Sequence, residues 1–172
     1  MKKLLVATYF AAMVIVVVSH LALPTTVAIH FASGGEPDGW ASKTVNTLAF
    51  AAMYTAAFLL FLFVPRLCVA LPPDLVNVPN RHYWLAEANR PHFLAIIERL
   101  MFEFGTVMMA FLGVVGLLTL EANLADPVRL DERSFLGSLA AFLGYTVWWC
   151  LRLFRSFRVP EPVPGGRPFS PR

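Results

Sequence analysis

The chain has 172 residues, of which 58 % are hydrophobic and 15 % charged, with a formal net charge of +3 and a mean hydropathy of +0.64. That composition excludes a water-soluble domain of this size and makes lipid the solvent. The basic residues are spread along the edges of apolar blocks without a recognition element, so nucleic-acid binding has no support.

The apolar residues fall into four blocks. Residues 4–23 carry no Lys, Arg, Asp or Glu, and at about 1.5 Å rise per residue they cover roughly the 30 Å of a hydrocarbon core. The second block is 45–64, the third 100–120 with one charge, Glu103, and the fourth 135–153. In lipid every backbone N–H and C=O must be satisfied within the segment or by closing a barrel, and continuous runs without dyad alternation leave only helices. The expected fold is all-α: a single integral membrane bundle of four transmembrane helices over residues 1–158, with a structured extracytoplasmic loop. Residues 159–172, with five prolines and two glycines, read as a disordered cytoplasmic tail. Helix packing is expected through Gly105, Gly113 and Gly116 on the third helix and Gly137 and Gly144 on the fourth, because small residues let backbones approach where lipid offers no hydrophobic drive.

Orientation follows from Lys and Arg. Eleven of them (Lys2, Lys3, Arg66, Arg81, Arg90, Arg99, Arg152, Arg155, Arg158, Arg167 and Arg172) border one side, and only Lys43, Arg129 and Arg133 the other. Both termini and the inner loop 65–99 are therefore expected in the cytoplasm, with 24–44 and 121–134 outside. A cleaved signal peptide is the rival reading of the N-terminus, but twenty apolar residues exceed the usual h-region of about 7 to 15 and no A-x-A site precedes Leu23-Pro24. Cys68 and Cys150 then lie towards the reducing side, as free thiols.

The loop 24–44 is the most informative stretch. Leu23-Pro24 ends the first helix, residues 25–31 are β-branched enough for a short extended segment, and Gly34-Gly35 and Pro37-Asp38-Gly39 are turn signals. Trp40 is placed for the headgroup level. On the cytoplasmic side, residues 71–98 read as an amphipathic piece on the membrane surface, with Tyr83 and Trp84 as interfacial anchors and Asn80 and Arg81 beside them; a docking surface for a cytoplasmic partner is the alternative.

The order His30-Phe31, Gly35, Pro37-Asp38-Gly39-Trp40, Ser42-Lys43 after a first membrane helix resembles the loop of a bacterial membrane domain of unknown function. That domain also forms the N-terminal part of SdpI-type immunity and signalling proteins. Residues 77–85, Asn77-Val78-Pro79-Asn80-Arg81-His82-Tyr83-Trp84-Leu85, are similar to a segment that stand-alone members carry in the next loop. The resemblance covers roughly the first half of the chain. It implies a multi-pass protein of the bacterial cytoplasmic (inner) membrane, with His30, Gly35, Pro37, Asp38, Trp40 and Lys43 as the matching loop residues. In the full SdpI architecture it implies immunity to a secreted peptide toxin and retention of a repressor at the membrane. That architecture continues into a further multi-helix domain, for which the two helices after Arg99 offer no counterpart.

Read as chemistry, His30, Glu36 and Asp38 are possible metal ligands in a surface loop, although Asp38 before Gly39 is equally a favoured turn residue. The other reading has His30 bonding across the loop and Asp38 pairing with Lys43. His20 has no histidine at matched depth on another helix, so this chain alone cannot hold a haem in the bilayer. Glu103 can pair with Arg99 one turn earlier or relay protons. No nucleophile elbow, His-Glu-x-x-His, P-loop or dinucleotide fingerprint is present. The expectation is a non-enzymatic protein without cofactor or metal, whose partners are the bilayer and either a peptide ligand outside or a membrane-protein partner, a second copy included. Three functions follow in order: a sensor or immunity-type protein recognising a ligand through 24–44, an accessory subunit of a larger membrane complex, and a metal-assisted enzyme at the outer face.

Overall fold

The computed structural model describes residues 1–159; the tail expectation for 160–172 lies outside the described residues. Four long helices carry the fold: α1 (Lys2–Ala22), α2 (Lys43–Ala70), α4 (Arg90–Leu124) and α5 (Glu132–Ser156). Two strands, β1 (Thr26–Phe31) and β2 (Pro37–Ser42), lie between α1 and α2, and a 3-10 turn at Pro73–Leu75 and a short helix α3 (Arg81–Trp84) lie between α2 and α4. All four long helices are long and apolar enough to cross a membrane, so the chain is a four-helix, multi-pass membrane protein.

Local chemistry sets the boundaries. Leu23 and Leu71 end α1 and α2 with extended backbone, ψ 147° and 153°; each precedes a proline, whose ring disfavours the helical conformation in the residue before it. Ser42 and Asp131 cap α2 and α5. The Ser42 hydroxyl accepts from Val45 N–H at 3.3 Å, and the Asp131 carboxylate accepts from Arg133 N–H and Ser134 N–H. Such caps satisfy backbone donors that the helix cannot.

Two helices run furthest past their apolar blocks. α2 runs through Pro65 to Ala70; a proline costs one backbone bond, which membrane helices tolerate where neighbours cover the site, and Pro65 is buried. α4 begins at Arg90 rather than near residue 100, with Pro91 in its first turn, where a missing N–H costs nothing. The expected inner loop 65–99 thus shrinks to residues 71–89.

α1, α2 and α4 pack on one another, whereas α5 leans on α4 alone among the long helices. Leu5, Ala12, Val16, Tyr54, Phe61, Phe102 and Met109 form the core between the first three. The outer faces display Phe10, Val14, Leu48, Leu60, Leu143 and Val147, an apolar coat that a protein in water would not sustain. The glycines of α4 work as spacers: a Cβ on Gly105 would stand 2.7 Å from the Phe61 ring, and one on Gly116 2.5 Å from the Tyr54 hydroxyl. Gly113 faces Ile15 with ordinary room. Gly137 and Gly144 depart from the packing expectation, since nothing lies within 4 Å of where their Cβ atoms would be; α5 turns them away from α4.

Candidate functional site

The segment between α1 and α2 is an antiparallel hairpin. Its turn lies at residues 32–36, where Ala32 N–H donates to Glu36 C=O at 2.8 Å and Gly35 N–H to Ala32 C=O at 3.0 Å. Gly34 and Gly35 supply the positive φ values, 89° and 78°, that other residues adopt at a cost. Pro37-Asp38-Gly39, read above as a turn, instead opens β2. Proline is tolerated at the first residue of an edge strand, and Gly39 sits at a register irregularity where a Cβ would come 2.9 Å from that of His30.

Helix ends hold the hairpin down. The Asn123 side chain, at the end of α4, accepts from Ala28 N–H at 2.7 Å and donates to Ala28 C=O at 2.9 Å. It therefore occupies the open edge of β1 as a neighbouring strand would. Residues 129–132 clasp the turn: Arg129 Nε donates to Gly34 C=O, Leu130 N–H to Gly35 C=O, and the Glu132 carboxylate accepts from Gly34 N–H. A Cβ on Gly35 would fall 2.2 Å from the Leu130 carbonyl oxygen. Lys43 does not pair with Asp38 as expected; its Nζ donates to Leu23 C=O at 3.3 Å, satisfying a carbonyl at the end of α1.

With the seat satisfied, a set of side chains is left facing outward. His30 Nδ1 and Asp38 Oδ1 stand 2.5 Å apart across the strands, with the side chains 72 % and 48 % exposed. The carboxylate can only accept, so the imidazole donates. Trp40 is 51 % exposed and borders an open groove of about 500 Å³ with Glu36, Asp126 and Arg129. His30, Phe31, Phe50, Leu118 and Phe135 line a second hollow of about 400 Å³. Glu36 does not join His30 and Asp38: among the described residues no three His, Cys, Asp or Glu side chains are grouped to hold a metal.

Residues 7–55 match the family model of a domain of unknown function, DUF1648. The match runs from α1 through the hairpin into the first half of α2; it spans the 30–43 segment of the sequence resemblance and stops short of residues 77–85. No curated protein and no solved structure matches the chain.

Outside the DUF1648 match, the loop 71–89 is packed rather than laid on a surface. Trp84 is 4 % exposed, within a cluster that includes Val76, Leu85, Phe93, Trp149 and Phe157. Its indole N–H donates to Phe157 C=O at 3.0 Å, and the Asn80 amide donates to the same oxygen at 2.9 Å. Trp84 is thus a core residue and not the interfacial anchor expected; Tyr83 is half-buried beside it. Arg81 bridges Asp74 at 3.1 Å, and Asn80 takes the left-handed backbone, φ 55°, that Asn adopts more readily than most residues.

Glu103 pairs with Arg152 of α5, not with Arg99. Arg152 also lies over the Trp148 ring, 5.2 Å from its centroid, an added attraction for a guanidinium. His20 donates or accepts at Thr47 Oγ1, 2.9 Å away. Because the Thr47 hydroxyl proton goes to Lys43 C=O at 2.7 Å, His20 Nδ1 is the donor. Sequence reasoning missed Asn123, whose one signal is a lone amide at the end of an apolar run, and Arg152, counted only as a topogenic charge.

Proposed function

We propose that this chain is a non-enzymatic protein of the bacterial cytoplasmic membrane that recognises an extracytoplasmic ligand, a peptide among the candidates, through the hairpin at 24–44. The observation that supports this reading is the division of labour on the hairpin. Asn123, Arg129, Leu130 and Glu132 hold its backbone at Ala28, Gly34 and Gly35, while the His30–Asp38 pair and Trp40 stand exposed on it. Exposed polar and aromatic side chains on a rigid seat are the usual furniture of a recognition surface. The similarity to the N-terminal part of SdpI-type proteins adds immunity or signalling as the form that recognition takes, with the positive-inside bias placing the hairpin outside.

The test is Asp38→Ala and Trp40→Ala in the native host. The reading expects each to abolish protection against a secreted peptide or an envelope stress while the membrane level of the protein is unchanged. Undiminished protection in both would overturn it.

A second reading, an accessory subunit, is favoured by α5. That helix has one long neighbour, and Gly137 and Gly144 lie open on its far side. It predicts a stoichiometric membrane partner lost on Gly144→Leu.

A further inference from the structure

Directly beneath the hairpin, where α1, α2 and α4 meet, lies a small, partly open cavity with several polar groups in its wall. Asn46, Ser19, Thr47, Thr119 and Tyr54 contribute to its wall. Asn46 is decisive. It is 5 % exposed, it lies in the first turn of α2 facing the bundle, and its amide makes no side-chain hydrogen bond to the other described residues. Its neighbours are already committed: the Thr47 proton goes to Lys43 C=O, the Thr119 proton to Val115 C=O, and the Tyr54 proton to Leu112 C=O. What these hydroxyls have left is acceptor capacity, which suits a donor arriving from outside the protein. An amide without a partner is costly in a medium that offers none. The space open to the centre of a water molecule is about 10 Å³, and a site of that size with several polar partners holds one water.

We propose that this cavity is a binding site for one internal water molecule, held by the Asn46 amide, the Ser19 hydroxyl and the free lone pair of Thr119. The water joins three spans at the foot of the hairpin. Thr119 is also the residue whose carbonyl accepts from Asn123 Nδ2 at 3.0 Å, and Asn123 holds Ala28 of β1. A polar connection therefore runs from the hairpin edge through the end of α4 to α2 and α1. The site does not depend on the hairpin's being a ligand surface.

Radiolytic hydroxyl-radical footprinting with mass spectrometry, on the full chain in nanodiscs, tests it, because radicals formed from a bound water oxidise the side chains around it. Tyr54 is 0 % exposed, so bulk water cannot reach it. The expected result is oxidation of Tyr54 in the wild type and a several-fold fall in Asn46→Leu, while Phe93, buried at the opposite end, stays unmodified in both. Thr119→Val gives the same comparison should Asn46→Leu not accumulate. An unoxidised Tyr54 in the wild type, or oxidation indifferent to these substitutions, overturns the proposal.

Discussion

At the scale of single residues, the glycines of α4 and α5 look alike in the sequence and do opposite things. Gly105 lies against Phe61 so closely that Gly105→Ala forces the ring to move. Overpacking of that kind costs about 1–3 kcal/mol, and it should lower the thermal midpoint in detergent, with Phe61→Leu restoring part of the loss. Gly137→Ala, in open space, should be neutral or stabilising by up to about 1 kcal/mol, the helix-propensity difference. Small-residue content told that these positions permit close approach, but only the rotation of each helix decides which ones use it. Asn123 was less legible still. Its role depends on meeting Ala28, ninety-five positions away in sequence, and nothing local announces that. Asn123→Leu removes both bonds to the β1 edge and leaves a buried N–H and C=O of Ala28 unpaired, at about 1–3 kcal/mol each. Hydrogen exchange at the Ala28 amide should rise by orders of magnitude in that variant; unchanged protection would mean that the hairpin is held by other contacts.

At the scale of elements, the four apolar blocks were legible because a membrane span advertises itself by length and composition alone. Their ends were not. The blocks 45–64 and 100–120 stop where the apolar run stops, whereas α2 continues through Pro65 to Ala70 and α4 begins at Arg90, because a helix extends into the polar margin wherever packing covers it. The hairpin was half legible. The extended 25–31 segment and the Gly34-Gly35 turn could be read from residue types, while the strand nature of Pro37–Ser42 arises from pairing with β1 and not from its own propensity. The start of α5 carries a pH dependence. Bonds from the Ser134 hydroxyl and from the Ser134 and Arg133 N–H groups hold the Asp131 carboxyl below its ordinary pKa. A carboxyl depressed in the folded state stabilises above its unfolded pKa, near 3.9, and loses that contribution as pH falls through the lower folded value. The thermal midpoint should therefore fall on acidification below about pH 4, and less steeply in Asp131→Asn, which caps without titrating. The α4–α5 seam rests on Glu103 and Arg152. Glu103→Leu alone strands a partly buried guanidinium and should destabilise by about 3 kcal/mol, whereas the double Leu variant should recover most of it; a double loss equal to the sum of the two single losses would show that the pair contributes nothing as a pair.

At the scale of the whole molecule, the chain is two unequal ends joined by apolar helices. One end is a hairpin seated on helix termini, with its polar and aromatic side chains outward. The other is a packed cap in which Trp84 and Asn80 close the C-terminus of α5. The positive-inside bias predicts that a cysteine placed at exposed Ser33, with Cys68 and Cys150 replaced by Ser, reacts with a membrane-impermeant maleimide in intact cells. Protection there, with labelling only after lysis, would reverse the orientation. The recognition reading rests on side chains exposed on the hairpin, and the measurement that bears on it most directly is affinity purification of the tagged protein from its native membrane in mild detergent, wild type beside Asp38→Ala/Trp40→Ala, with mass spectrometry of everything retained. The account predicts an extracytoplasmic ligand that co-purifies with the wild type and is lost from the hairpin variant at equal protein yield. A stoichiometric membrane partner that survives the hairpin substitutions and disappears with Gly144→Leu would contradict it.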